Sequence, residues 1–130
     1  MGMSKAGIAL LSGGLDSFIS LNLASREMDI KLALTFNYGQ IAFEDELEAA
    51  SAIAAKYGIE HKVIELPFLS EIIDLNEVWI PNRNGLFLNI AGVFADRYDF
   101  DYIIFGANKE EGQEFWTEVI ETGLSAAYDK

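Results

Sequence analysis

The stretch Ala6-Gly-Ile-Ala-Leu-Leu-Ser-Gly-Gly-Leu-Asp-Ser17 sets a short apolar run directly against a Ser-Gly-Gly turn. Ala6 to Leu11 suits a β-strand buried on both faces and ending in a tight turn. After it, Gly13 and Gly14 let the backbone take positive φ and approach a ligand with no Cβ in the way, while Ser12 and Ser17 supply hydroxyl donors. A helix beginning near Asp16 adds unpaired N–H groups and the positive pole of its dipole. Ser12 to Ser17 therefore reads as an anion cradle between a strand and a helix. It is not a Walker A loop, because no Gly-Lys-Ser/Thr follows, and it lacks the Gly-x-Gly-x-x-Gly dinucleotide fingerprint. A plain βα turn, with Asp16 or Ser17 merely capping the helix, is the competing reading of the same residues.

Working outward, Ile30 to Phe36, His61 to Leu66 and, more weakly, Asp101 to Gly106 repeat the short apolar pattern, which predicts four buried strands. Helical stretches lie between them. Phe43, Leu47, Ala50, Ala54 and Tyr57 keep one face, with Glu44, Asp45 and Glu46 opening the helix and Gly58 closing it. Leu15, Ile19 and Leu23 mark an apolar stripe on the first helix, and Leu86, Ile90 and Phe94 mark one on a helix beginning near Asn84. With no repeat or flexible linker, and with Pro67 and Pro81 bracketing one irregular stretch, residues 1–130 read as a single domain. Alternating strands and helices imply an α/β fold, a doubly wound parallel sheet sandwiched by helices. Such sheets bind ligands outside the carboxyl ends of their strands. Four segments should therefore converge: Ser12 to Ser17, Thr35 to Gln40, the loop leading to Arg83 and Asn84, and Gly106 to Lys109.

Composition narrows the chemistry. The 130 residues are 51% hydrophobic and 12% aromatic, enough for a real core. The absence of cysteine excludes disulfides, thiolate nucleophiles and cysteine zinc sites, and a single histidine, His61, cannot build a multi-histidine metal centre. A formal net charge of −12 disfavours general nucleic-acid binding. A small anion could still bind where backbone amides, a few cations and a divalent ion override that field. The apolar start is too short for a membrane span and has no small-residue cleavage pattern behind it, so the chain reads as cytoplasmic, with no membrane association.

Ser-Gly-Gly-Leu-Asp-Ser after a buried first strand resembles the pyrophosphate-binding loop, or PP-loop, of the ATP pyrophosphatases. That superfamily includes GMP synthetase, NAD synthetase, asparagine synthetase and tRNA thiolation enzymes. Leu34 to Gln40 (LTFNYGQ) and Ile80 to Ala91 (IPNRNGLFLNIA) are similar to segments of one branch, the 7-cyano-7-deazaguanine synthases of queuosine and archaeosine biosynthesis. Glu46 to Leu69 and Ile103 to Glu111 follow the same pattern. The resemblance implies a Rossmann-like fold of the adenine nucleotide alpha hydrolase type. It implies an ATP-dependent ligase that adenylates the carboxylate of 7-carboxy-7-deazaguanine and admits ammonia, giving the nitrile preQ0 and releasing pyrophosphate. Ser12, Gly13, Gly14, Asp16 and Ser17, flanked by Leu11 and Leu15, would hold the β and γ phosphates. Thr35 and Phe36, with Gly106, would lie beside the adenosine. Mg²⁺ would accompany the ATP.

Arg83, between Pro81 and a helix start, could clamp a phosphate or carboxylate; a surface ion pair is the alternative. Lys109 could reach the leaving pyrophosphate or stand in a solvated loop beside Glu110 and Glu111. Tyr38 and Gln40 could contact a planar purine-like substrate, although loop packing explains Tyr38 equally well, and Asn84 is both a helix cap and a substrate candidate. His61 reads as structural, and Trp79, Phe115 and Trp116 as core or interface. The acidic run Phe43 to Glu48 reads as a solvated helix face rather than a metal site. The resembled enzymes carry a C-terminal segment with four zinc-binding cysteines, and this chain offers no such ligands. The 130 residues thus read as the ATP-binding part of a larger design, or as a reduced relative in which a second copy supplies missing walls. An ATP pyrophosphatase acting on another carboxylate and an ATP- or AMP-binding module without turnover are the alternatives.

Overall fold

The computed structural model describes residues 5–12, 14–72 and 83–106; for Leu15, Asp16 and Asn84 the description covers the helix backbone alone. Strands β1 (Ala6–Leu10), β2 (Asp29–Asn37), β3 (Glu60–Glu65) and β4 (Tyr102–Ile104) form a parallel sheet in the order β3-β2-β1-β4. Helices α1 (Leu15–Ser25), α2 (Phe43–Tyr57), α3 (Leu69–Ile72) and α4 (Arg83–Tyr98) alternate with the strands. The chain winds from β1 out to β3, then crosses back to place β4 on the other side of β1. The winding direction therefore reverses between β1 and β4, the position where a doubly wound sheet opens a crevice at its strand ends.

Two unlike cores cover the sheet. On one face Ala9, Leu11, Leu21, Ile30, Ala33, Ala50 and Ala54 pack together, an alanine-rich layer under α1 and α2. On the other, Leu32, Leu34, Phe36, Tyr38, Phe87 and Leu88 form a bulkier layer under α4. Ile30 and Leu32 would share a face in a regular strand. They do not, because Gly7 pairs with Ile30 and Ile8 with Leu32, leaving Lys31 as an extra residue that inverts the alternation. Helix α2 closes as its sequence indicates: Gly58 sits at φ 66°, and its N–H caps the last turn.

Three expectations need correction. Strand β3 is not buried; His61 and Ile64 are half-buried and its other side chains exposed, because the topology puts it at the edge of the described sheet. In β4 Tyr102 is exposed and the rest half-buried, for the same reason. On α1 the sheet-facing residues are Ser17, Leu21 and Ala24, whereas Ile19 and Leu23 are exposed. Helix α4 begins at Arg83, beside Asn84 as expected, and Phe87, Leu88 and Ala91 form its buried centre, with Leu86, Ile90 and Phe94 packed alongside. No helix among the described residues is long and apolar enough to cross a membrane.

Replacing the fully buried Leu34 with alanine should cost about 3 kcal/mol in urea unfolding. The exposed edge residue Val63 should tolerate threonine within about 0.5 kcal/mol.

Candidate functional site

Strand β1 delivers the chain to the loop with little freedom left. Leu11 is buried, and its N–H donates to Leu34 O at 2.8 Å, extending the parallel pairing one residue past the strand. Ser12 is then exposed, and the donors of the loop turn toward one another. Ser12 N–H points at Ser17 Oγ at 3.4 Å, Gly14 N–H at Ser12 Oγ at 3.3 Å, and Ser17 Oγ donates to Gly14 O at 3.1 Å. The two hydroxyl oxygens lie 3.4 Å apart, and with the Ser17 proton committed to Gly14 O, Ser12 is the donor between them. These are long, weak bonds. An acceptor with several oxygens could replace them without dismantling any secondary structure.

Helix α1 starts in the same place. Its N-cap is Gly14, which has no side chain to cap with, and the first intrahelical bond runs from Phe18 N–H to Gly14 O at 3.1 Å. The amides of Leu15, Asp16 and Ser17 therefore have no intrahelical acceptor, and they stand at the positive end of the helix dipole. Neither Asp16 nor Ser17 occupies the capping position. Gly14 has φ −83° and ψ 169°, an extended conformation open to any residue, so positive φ is not what glycine supplies there. A Cβ at this position would stand 3.4 Å from Ser12 Oγ, inside the cluster of donors. Gly13 lies outside the described residues.

At the end of β2, Thr35 is 1% exposed, and its Oγ1 donates to Leu11 O at 2.8 Å. Phe36 and Tyr38 turn to the α4 face, where Phe36 stacks on Phe87 with centroids 4.0 Å apart. Tyr38 lies against the same ring, and Arg83 Nη1 is 3.5 Å from its hydroxyl oxygen. Tyr38 thus packs and orients Arg83 together. Gly39, at φ 88°, needs the left-handed region to turn the chain here. The Gln40 side chain braces that turn: its amide donates to Phe36 O and Glu46 Oε2, both at 2.9 Å, and its oxygen accepts from Tyr38 N–H.

The expected site residues therefore fall into two groups. Leu11, Ser12, Gly14, Ser17 and Thr35 are linked at the end of β1, while Phe36, Tyr38, Gln40 and Arg83 are linked at the end of β2. Gly106 follows β4, half-buried, and Lys109, Trp79, Phe115 and Trp116 lie outside the described residues, as do the side chains of Leu15, Asp16 and Asn84. Among the described residues no group of three or more His, Cys, Asp or Glu is placed to hold a metal ion. His61, read as structural, reaches the first group: its Nε2 is 2.7 Å from Thr35 Oγ1. The sequence alone could not reveal this, because it depends on the β2–β3 register that pairs Ala33 with His61 and Thr35 with Val63, putting His61 and Thr35 on one face.

A family model described as queuosine biosynthesis protein QueC matches residues 6–77 and 73–117. The chain belongs to this family. The match begins at the first residue of β1 and takes in every strand and helix among the described residues. The 7-cyano-7-deazaguanine synthase of Pelotomaculum thermopropionicum is 44% identical over 83% of this chain and 61% of its own length. That of Carboxydothermus hydrogenoformans is 44% identical over 87% of this chain and 64% of its own length. The chain thus spans about three fifths of the curated relatives it matches. Among solved structures, the U34-tRNA thiolase NcsA from Methanococcus maripaludis is similar with a TM-score of 0.63, 21% identity, and coverage of 91% of this chain and 43% of that one. An NH3-dependent NAD synthetase from Campylobacter jejuni follows with a TM-score of 0.61, also at 21% identity, over 85% of this chain and 50% of its own. These likenesses show a shared fold.

Gly14→Ala should leave the urea midpoint nearly unchanged, costing less than about 1 kcal/mol because its backbone conformation suits alanine. Pyrophosphate affinity measured by calorimetry should fall at least about tenfold, the equivalent of one lost charge-assisted hydrogen bond. A second expectation concerns acid. Burial lowers the His61 pKa below its ordinary 6.5, so the folded chain favours the neutral ring. Between the folded and unfolded values the unfolded chain binds more protons, so this contribution is full above about pH 6.5 and is lost as pH falls through the folded value. His61→Gln should remove that part of the stability loss in urea melts taken from about pH 7 to pH 5.

Proposed function

We propose that the chain binds ATP at the glycine loop and forms the adenylating centre of a 7-cyano-7-deazaguanine synthase. The observation that carries this reading is the convergence of Ser12, Gly14, Ser17 and the uncapped start of α1 at the switch point of the sheet. The names of the relatives supply the substrate class.

The phosphate ladder of ATP would lie along Ser12 to Ser17, with the β and γ phosphates replacing the internal bonds of the loop. Leu11, Thr35, Phe36 and Gly106 would flank the adenosine. Tyr38, Gln40 and Asn84 would border the deazapurine, Gln40 by holding the turn that carries Tyr38. Arg83 and Lys109 would offset the charge that develops as pyrophosphate leaves. A carboxylate oxygen of 7-carboxy-7-deazaguanine attacks the α-phosphorus, the bond to the β-phosphate bridge breaks, and ammonia then displaces AMP to give the amide. Removing the remaining oxygen to reach the nitrile requires the same activation once more, so both carboxylate oxygens leave on AMP. This chemistry needs positioning and charge neutralisation rather than a protein nucleophile, which suits a chain without cysteine.

Mg²⁺ would travel with the triphosphate, since the described residues offer no carboxylate cluster to hold it. Zinc does not fit this chain, which has no cysteine and one histidine. Pairing with a second copy to complete the walls around the base, a cytoplasmic setting and the absence of direct nucleic-acid binding belong to the same proposal.

Incubation with ATP, Mg²⁺, ammonia and the ¹⁸O-carboxylate of 7-carboxy-7-deazaguanine should transfer one labelled oxygen to each AMP and leave pyrophosphate unlabelled. Pyrophosphate formed without the acid, or an unlabelled AMP, would count against adenylation. Ser17→Ala should reduce the rate by about tenfold or more through loss of a phosphate donor.

A further inference from the structure

We infer that His61 is a positioning residue for the glycine loop: through the Thr35 hydroxyl it holds the Leu11–Ser12 peptide so that the Ser12 N–H faces the anion. The inference rests on the ATP reading of that loop. Thr35 has one hydroxyl proton, and it is given to Leu11 O at 2.8 Å. At the 2.7 Å contact with His61 the threonine oxygen can therefore only accept, so His61 Nε2 carries a proton and donates it. The other ring nitrogen, Nδ1, faces Ser51 Oγ on α2 at 3.5 Å. Burial disfavours a second proton on the ring. The chain of contacts thus runs from α2 through β3 and β2 to the last residue of β1's pairing.

The peptide plane explains what this achieves. In a trans peptide the C=O and the following N–H point in opposite directions. A bond that fixes the Leu11 carbonyl toward Thr35 therefore fixes the Ser12 N–H on the opposite side, where Ser17 Oγ lies. Thr35 is almost completely buried beneath the imidazole, and a phenyl ring at position 61 would fill that place without offering a donor. The hydroxyl then loses its donor, the Leu11 carbonyl is held less firmly, and the Ser12 N–H is free to swing away from the phosphates.

The chain contains one histidine, so nitrogen NMR of the imidazole is free of overlap. It should show the neutral Nε2–H tautomer; the Nδ1–H tautomer would overturn the inference. In calorimetry, His61→Phe should weaken ATP binding about tenfold, while His61→Gln, whose amide can reach the place of Nε2, should stay within about twofold. His61→Phe added to Thr35→Val should cost nothing further, since the link is already broken. Unchanged ATP affinity in His61→Phe, or additive losses in the double variant, would also overturn it. If His61→Phe does not fold, His61→Asn, whose amide stops short of Thr35, carries the same expectation. If the unaltered chain binds no ATP, the proposed function fails. The Ser12 amide resonance then decides the positioning role by itself: it should move in the Phe or Asn variant and hold in His61→Gln, and equal shifts in all would overturn it.

Discussion

Strand β1 is hydrogen-bonded on both edges, to β2 and to β4, and its central side chains are buried on both faces, so a ligand can meet it only at a strand end, and the loop donors gather at the carboxyl one. Everything else about the site follows from that confinement. The winding reverses at β1, the place where a doubly wound sheet opens a crevice outside its strand ends. Leu11 and Thr35 carry the order of the sheet one peptide further, into the first residue of the loop. Beyond that point the chain has only glycines, serines and a helix start, which offer donors and little bulk.

The two faces of the sheet divide the labour. The alanine-rich face seats α1, and with it the uncapped amides of Leu15 to Ser17. The Leu and Phe layer seats α4 and uses aromatic stacking to place Phe36, Tyr38 and Arg83. Glutamine at position 40 serves that second group from within, because a single carboxamide ties the backbone at Phe36 and Tyr38, just ahead of Gly39, to the first turn of α2. The helix entry and the aromatic cluster are therefore separately built, and the sheet fixes their relative placement.

Much of this arrangement is legible in the residues alone. The Phe43 to Tyr57 helix can be read to the residue because carboxylates open it, a glycine closes it, and its apolar series has one face. On α1 periodicity misses the orientation: apolar residues stand at Leu15, Phe18, Ile19, Leu21 and Leu23, nearly all around the helix, so period alone does not choose the buried side. His61 to Leu66 resembles an interior strand because Val, Ile and Leu fill it, but whether a strand lies at an edge is decided by winding order, which no local pattern encodes. Gly14 belongs to the loop that its sequence context indicates, but for want of a Cβ among the donors rather than for a positive φ. The link from His61 to Thr35 is diagonal across two strands, so only the register reveals it.

The charge of the chain is consistent with such a site. A net −12 repels a polyphosphate at long range, yet exposed charges more than a Debye length away, about 8 Å at physiological salt, are largely screened. Lys31 and Lys62 pair with Asp29 and Glu60 near the amino ends of their strands, away from the carboxyl ends where the loop lies. The donors that do act at short range are backbone amides and hydroxyls, whose partial charges count only within the first turn of α1. Their strength depends on aim rather than on net charge, which is why the orientation of a single peptide plane after Leu11 matters. A neutral imidazole suits that role, because His61, with its pKa lowered by burial, can hold the plane through Thr35 without adding a charge beside the proposed anion site.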